Sequence, residues 1–114
     1  MWEVILVAEV TDWYLDMAPR EKSALERCVG LLEDMGPALK FPYSSAIQGS
    51  RLAMRELRYQ HRGEPYRVLY AFDPRRRAVL LLGGCKGGDD RWYARSVPIA
   101  ENRYSEYLED MTTP

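Results

Sequence analysis

The chain has 114 residues, 46% of them hydrophobic and 29% charged, and a net charge of −1. That is one domain, residues 1–114, with enough apolar material for a modest core, and no apolar run approaches the ~20 residues of a membrane span. The balance of charge is uneven: residues 51–95 carry eleven Lys/Arg against five acids, a net of +6, while the remainder carries a net of −7. A basic segment beside acidic ones fits a face offered to a polyanion, and it equally fits a basic face covered by an acidic partner.

Trp2–Val7 has the β-branched and aromatic content of a short strand, expected at or next to a sheet edge. Thr11 or Asp12 can cap a short helix through Met17. Pro19 suits the first position of a second helix, Glu21 its first turn, and Gly36-Pro37 its end. Between them Ala24, Leu25, Cys28, Leu31, Leu32 and Met35 recur at helical spacing. Cys28 lies on that stripe and reads as a small core residue. Neither it nor Cys85 shows metal or redox spacing, which fits free thiols of a reducing cytoplasm. The amino terminus lacks the basic start of a signal peptide, so a cytoplasmic location is expected.

Gly36–Arg51 has no clear period and holds Pro37, Pro42, Gly49 and three serines, so a surface loop is expected there. Ser44, Ser45 and Ser50 have no adjacent base or nucleophile-elbow pattern. The stretch from Met54 to Lys86 then reads as three antiparallel strands. Met54–Tyr59 alternates, with Arg55 and Leu57 on one side and Met54, Glu56 and Arg58 on the other. Gln60–Pro65 is expected as a loop. Tyr66–Asp73 alternates again: Tyr66, Val68, Tyr70 and Phe72 point one way, Arg67, Leu69 and Ala71 the other. Asp73-Pro74 opens a turn, and Ala78–Leu82 is apolar throughout, as for a strand buried on both faces. Gly87–Val97 holds a helical turn with Arg91, Trp92, Tyr93 and Arg95, and Pro98 suits the start of a last helix, Ile99–Met111. The order β-α-α-β-β-β-α indicates an α+β fold with helices on one face of an antiparallel sheet.

Arg67 is the informative residue. It sits in a strand whose other face is strongly apolar, and an arginine cannot enter a core without a partner. Ordinary hairpin register places Arg58 on the same side, with Lys86 at the end of the next strand. Three cations gathered there suit phosphate. A cross-strand ion pair of Arg67 with Glu56 or Glu64 stands as an equal reading.

The motifs M-R-E-L-R (54–58), Y-R-V-L-Y-A-F-D (66–73) and A-V-L-L-L-G-G-C-K (78–86), between an N-terminal strand with a helical hairpin and a closing helix, resemble the RelE/ParE toxin superfamily, and most closely its HigB-like, phage-derived branch. The resemblance covers nearly the whole chain. It implies a RelE-like fold and the toxin of a type II toxin-antitoxin system: a ribosome-dependent mRNA endonuclease needing no metal or cofactor. It also implies a cognate antitoxin, expected to be of helix-turn-helix type, which alone would contact operator DNA. Carried over by position, Arg67 matches the arginine set against the scissile phosphate, Arg58 a basic residue on the preceding strand, Lys86 the basic group after the last strand, and Tyr93 a C-terminal tyrosine near the cleaved nucleotide. Arg55, Arg91 and Trp92 join them as expected substrate contacts. Where RelE-type members carry lysines on the second strand, this chain has Met54 and Glu56. Some HigB members use histidines near the site, and here the one histidine, His61, falls in the hairpin loop.

Cleavage through the 2′-OH needs a proton acceptor, cations for the phosphorane charge and an acid for the leaving 5′-oxygen. Arg58 and Arg67 supply cations, Lys86 an acid, and Glu56 a conceivable base. Tyr93 or Trp92 could stack on a base or pack under the last helix. Arg75–Arg77 reads as a solvated turn or a ribosomal-RNA contact. Two other readings remain open: a ParE-like gyrase poison, and an inactive relative acting only with its antitoxin.

Overall fold

In the computed structural model, described for residues 1–113, the elements are β1 (Val4–Leu6), α1 (Ala8–Leu15), α2 (Pro19–Met35), β2 (Ser44–Ala46), β3 (Arg55–His61), β4 (Glu64–Phe72), β5 (Ala78–Cys85) and α3 (Trp92–Thr112). The fold is α+β, as expected. Its five strands run β1-β5-β4-β3-β2 across the sheet. All neighbours are antiparallel except β1, which pairs with β5 in parallel, so the sheet is mixed. β1 is an edge strand because the helical hairpin carries the chain away before β2.

The two faces are covered by different helices. Val68, Tyr70 and Leu80 pack with Leu57 against α1 and α2, through Val10, Leu25, Cys28 and Leu32. Leu69, Ala71, Val79 and Leu81 pack with Met54 under α3, through Trp92, Ala100 and Tyr104. Helices therefore flank both sides, where one covered face was expected. This double cover is why β4 and β5 have apolar residues at both parities. Cys28 is a core residue, its thiol pushed up to about 11 by burial.

Several local expectations change, the first being that α1 begins at Ala8, ahead of the Thr11 or Asp12 expected to cap it. The Gln60–Pro65 loop contracts to a two-residue turn at Arg62-Gly63, both with positive φ, the backbone that suits the twist of a hairpin. Residues 44–46, expected in a loop, form β2 on the edge of β3, with Ser44 opposite Leu57 and Ser45 opposite Glu56. Three residues are too few to show a period. α3 begins at Trp92 and runs through Pro98 instead of starting there. Pro98 and Ala94 are both exposed, so the carbonyl that loses its N–H partner faces water.

Gly83 and Gly84 place the backbone of β5 between two indoles. A Cβ at Gly83 would lie 2.2 Å from the Trp13 ring on one face, and one at Gly84 would lie 3.2 Å from Trp92 Nε1 on the other. Both helical layers thus press directly on the strand at the edge of the polar region.

Asp73 locks the β4–β5 turn to the end of α3. Its side chain is fully buried. Oδ1 accepts from the N–H groups of Arg75 and Arg77, and Oδ2 from Arg77 Nε and the Tyr107 hydroxyl, all within 2.9 Å. Burial pushes the carboxyl up, but the hydrogen bonds from Arg77 and Tyr107 outweigh it and hold the group below its usual value. A depressed carboxyl contributes stability above its unfolded value of about 4 and loses it as pH falls through the folded value. Asp73→Ala should cost about 2–3 kcal/mol by stranding these donors. Asp73→Asn should flatten the loss of stability between pH 5 and pH 2, read as urea midpoints across that range.

Candidate functional site

Period-2 alternation and the pairing register decide which side chains share the α3 face. Arg58 lies directly opposite Arg67, and Arg67 opposite Gly84. One step along, Ser45, Glu56 and Leu69 form the adjacent row. The apolar rows of the core thus give way to a polar one where α3 begins.

Glu56 is the centre of that row. It is 5% exposed, and a carboxylate so buried needs partners. It has four. Oε2 accepts from Arg58 Nη1 at 3.0 Å and the Ser45 hydroxyl at 2.7 Å. Oε1 accepts from the Tyr93 hydroxyl at 2.6 Å and lies 3.6 Å from Arg67 Nε. The cross-strand pairing of Arg67 with Glu56, one of the two readings of the sequence, is therefore present, with Arg58 paired to the same carboxylate. Burial and the Glu56 carboxylate both raise the Tyr93 phenol, so Tyr93 holds its proton at neutral pH.

Arg67 is 7% exposed. Nη1 donates to the Tyr66 carbonyl at 2.8 Å, while Nε is buried and has no hydrogen-bond partner among the described residues. A buried donor left so is rare and costly, and here the Glu56 carboxylate at 3.6 Å supplies its counter-charge. Lys86 leaves β5 beside Pro65, and its Nζ lies 5.7 Å from the centre of the Tyr93 ring. Arg58, Arg67 and Tyr93 are thus brought together around Glu56, with Lys86 against the Tyr93 ring. A cleft of 330 Å³ opens beside them, lined by Ala46, Ile47, Gln48, Glu56 and Tyr93.

The other candidates lie elsewhere. Arg55 is on the hairpin face, where Nε donates to the Ser44 hydroxyl and Nη2 to the Leu39 carbonyl. Its odd position in β3 dictates that side. Trp92 is buried against Gly84 and stands edge-on to Tyr93, so its ring is core and offers no face to a base. Arg91 precedes α3 with its side chain exposed, its backbone N–H bonded to Asp89. His61 ends β3 on the hairpin face, edge-on to Tyr66. Arg77 is held by Asp73 as part of the turn. Ser45 escaped the sequence reading because its contact with Glu56 exists only once β2 pairs with β3. Among the described residues no group of three or more His, Cys, Asp or Glu is placed to hold a metal ion.

The family model for the phage-derived protein Gp49-like (DUF891) matches residues 12–105. The chain belongs to the Gp49-like family. Two relatives from Mycobacterium tuberculosis (strain ATCC 25618 / H37Rv) are similar over most of it. The protein named "Putative toxin HigB3" is 38% identical over 107 residues, covering 92% of each chain. That named "Putative toxin HigB2" is 32% identical over 105 residues, covering 90% of this chain and 52% of its own length. No solved structure matches. The HigB-like, phage-derived resemblance read from the strand motifs is thereby shown.

In this Gp49-like chain, Glu56 joins β2, β3, β4 and α3 through its four partners. Glu56→Ala should cost about 3 kcal/mol, because it leaves Arg67 buried beside no counter-charge. Glu56→Gln, which also removes the counter-charge but keeps the volume and one acceptor, should cost less, about 2 kcal/mol. Urea unfolding at pH 7 measures both.

Proposed function

We propose that this HigB-like chain is the toxin of a toxin-antitoxin pair and acts as a ribosome-dependent mRNA endonuclease. The observation that carries the reading is Arg67: a buried guanidinium directly opposite Arg58, with Nε turned to Glu56 and Nη2 left without a protein partner among the described residues. Guanidiniums hold a phosphodiester through paired N–H groups.

The geometry supports a division of labour. The 2′-oxygen attacks the adjacent phosphorus, and the P–O5′ bond breaks to leave a 2′,3′-cyclic phosphate. Arg58 and Arg67 hold the charge that gathers on the phosphorane oxygens. The 2′-OH proton passes to Tyr93 Oη as the Tyr93 proton moves to Glu56, across the 2.6 Å bond that joins them. Tyr93, with its raised pKa, is a shuttle here and not itself the base. Lys86, over the Tyr93 ring, delivers a proton to the leaving 5′-oxygen.

A second reading has one specific observation in its favour. Glu56 neutralises part of the cluster and sits where RelE-type members carry a lysine, as an inactive relative acting only with its antitoxin would allow. A protein antitoxin of helix-turn-helix type remains the expected partner, and binding only the folded toxin would stabilise it.

Arg67→Ala should lower translation-dependent transcript cleavage about 100-fold or more, the scale seen for a lost transition-state donor. Mapping of 5′ ends after induction, with and without a translation inhibitor, reads it. Transcripts that stay whole while growth stops would overturn the nuclease reading, and DNA breaks in that case would point to a gyrase poison. Unimpaired growth would point to the inactive relative.

Co-expression with the protein encoded beside it should raise the melting temperature, by an amount equivalent to about 3 kcal/mol at a hundredfold excess of partner over Kd. Failure of the two to co-purify would count against the pairing.

A further inference from the structure

We propose that Phe41 and Tyr43 form a stacking platform for a nucleobase of the RNA, next to the phosphate held by Arg58 and Arg67. The inference rests on the nuclease reading and adds to it the group that would grip the substrate's base.

Phe41 is 69% exposed and Tyr43 49% exposed, and they are the two aromatics among the exposed large apolar side chains. They fall within three residues of one another, in the turn that leads into β2. Aromatic rings left in water need a reason when the protein has a core to take them. Here the Phe41 ring borders Arg58. The Arg58 guanidinium carbon lies 5.1 Å from the centre of the Phe41 ring, while Nη1 of the same group is bonded to Glu56. One side chain therefore touches both the polar row and the aromatic turn. With Arg58 against one part of the Phe41 ring, most of the rest faces water. A nucleotide offers the matching pair of features, an anionic phosphate and a flat base a short distance away. Base–aromatic stacking beside a basic groove is how single strands are held without regard to sequence. Lys40, exposed at the start of the turn, adds charge of the right sign.

The turn is anchored on both sides. The N–H groups of Tyr43 and Ser44 donate to the Lys40 carbonyl at 3.0 and 3.1 Å, and the Arg58 N–H donates to the Tyr43 carbonyl at 2.9 Å. Leu39 is buried, and its carbonyl accepts from Arg55 Nη2. Arg55, which faces away from the site, is in this view a positioning residue for the turn. The platform is thus presented on fixed backbone. It also occupies the role that Trp92, buried under α3, cannot fill.

The test uses the full chain and ribosomes programmed with an mRNA carrying 2-aminopurine in the vacant codon and a 2′-O-methyl group that blocks cleavage. Wild-type protein should quench the fluorescent base on binding. Phe41→Leu, which keeps an apolar side chain but no ring, should bind about tenfold more weakly and lose the quench. Its salt dependence should be unchanged, because no phosphate contact is removed, whereas Arg58→Ala should reduce the salt slope by about one. Phe41→Trp should retain the quench. Quenching and affinity equal to wild type in Phe41→Leu would overturn the platform and leave the nuclease reading in place. Protein that neither binds these ribosomes nor cleaves unmodified mRNA would overturn both. Loss of antitoxin binding in Phe41→Leu, with RNA binding intact, would reassign the two rings to a protein interface. The substitution is at a mostly exposed side chain, and a thermal melt establishes that the variant is folded.

Discussion

The structure turns on one buried carboxylate. Glu56 could not stand on an interior face of the sheet alone, since the cost of removing a bare charge from water exceeds what a small domain can bear. Its four partners come from four elements: Ser45 from β2, Arg58 from β3, Arg67 from β4 and Tyr93 from α3. Satisfying Glu56 therefore fixes the short edge strand, the register of the central hairpin and the start of the last helix. A well-packed apolar cluster would hold the same elements at least as firmly. That a charged one stands in its place is an argument for use, because its polar atoms face a cleft and its cations outnumber its anions.

The apolar core makes this cluster rigid. Leu69 and Ala71 on one face of β4, and Val68 and Tyr70 on the other, are fully or almost fully buried, so the strand that carries Arg67 cannot shift. The paired glycines of β5 end the core next to Arg67, and the indoles of Trp13 and Trp92 clamp the strand from both sides. Groups held in this way need no reorganisation when a charged ligand arrives, which is where enzyme electrostatics gain most of their effect.

The faces of the central strands were legible in the sequence because a period of two leaves no freedom. Once Val68 and Tyr70 are core, Arg67 must be opposite, and hairpin pairing carries Arg58 with it. The same rule told that Arg55 faces away, and treating it as a substrate contact ran against its own parity. What the sequence hid were features set by tertiary contact. β2 is three residues long and exists because β3 has an edge to pair with. Pro98 reads as a helix start, yet it is tolerated inside α3 because its side of the helix is wet. Trp92 could be core or platform until Gly84 showed how closely β5 approaches it. The role of Glu56 depended on Ser45 and Tyr93, residues 11 and 37 positions away, which no local pattern connects.

A carboxylate among arginines proposed to hold a phosphate raises the question of competition, and the donor count answers it. A guanidinium has five N–H donors arranged along its edges. Arg67 commits one nitrogen, Nη1, to the Tyr66 carbonyl, and its Nε faces Glu56 at 3.6 Å, beyond hydrogen-bond length. Arg58 meets Glu56 and Ser45 through Nη1 alone. Each arginine therefore keeps N–H groups free while Glu56 holds its orientation. Glu56 lowers the net charge of the site but does not fill it. A phosphate and the carboxylate can then be served by different edges of the same two side chains, with the carboxylate also bonded to Tyr93, the proton shuttle of the proposed mechanism. In the proposed mechanism, position 56 thus favours orientation and proton transfer at some cost in raw electrostatic attraction. A lysine there would reverse that balance, adding one more cation and removing the only proton acceptor bonded to Tyr93 among the described residues.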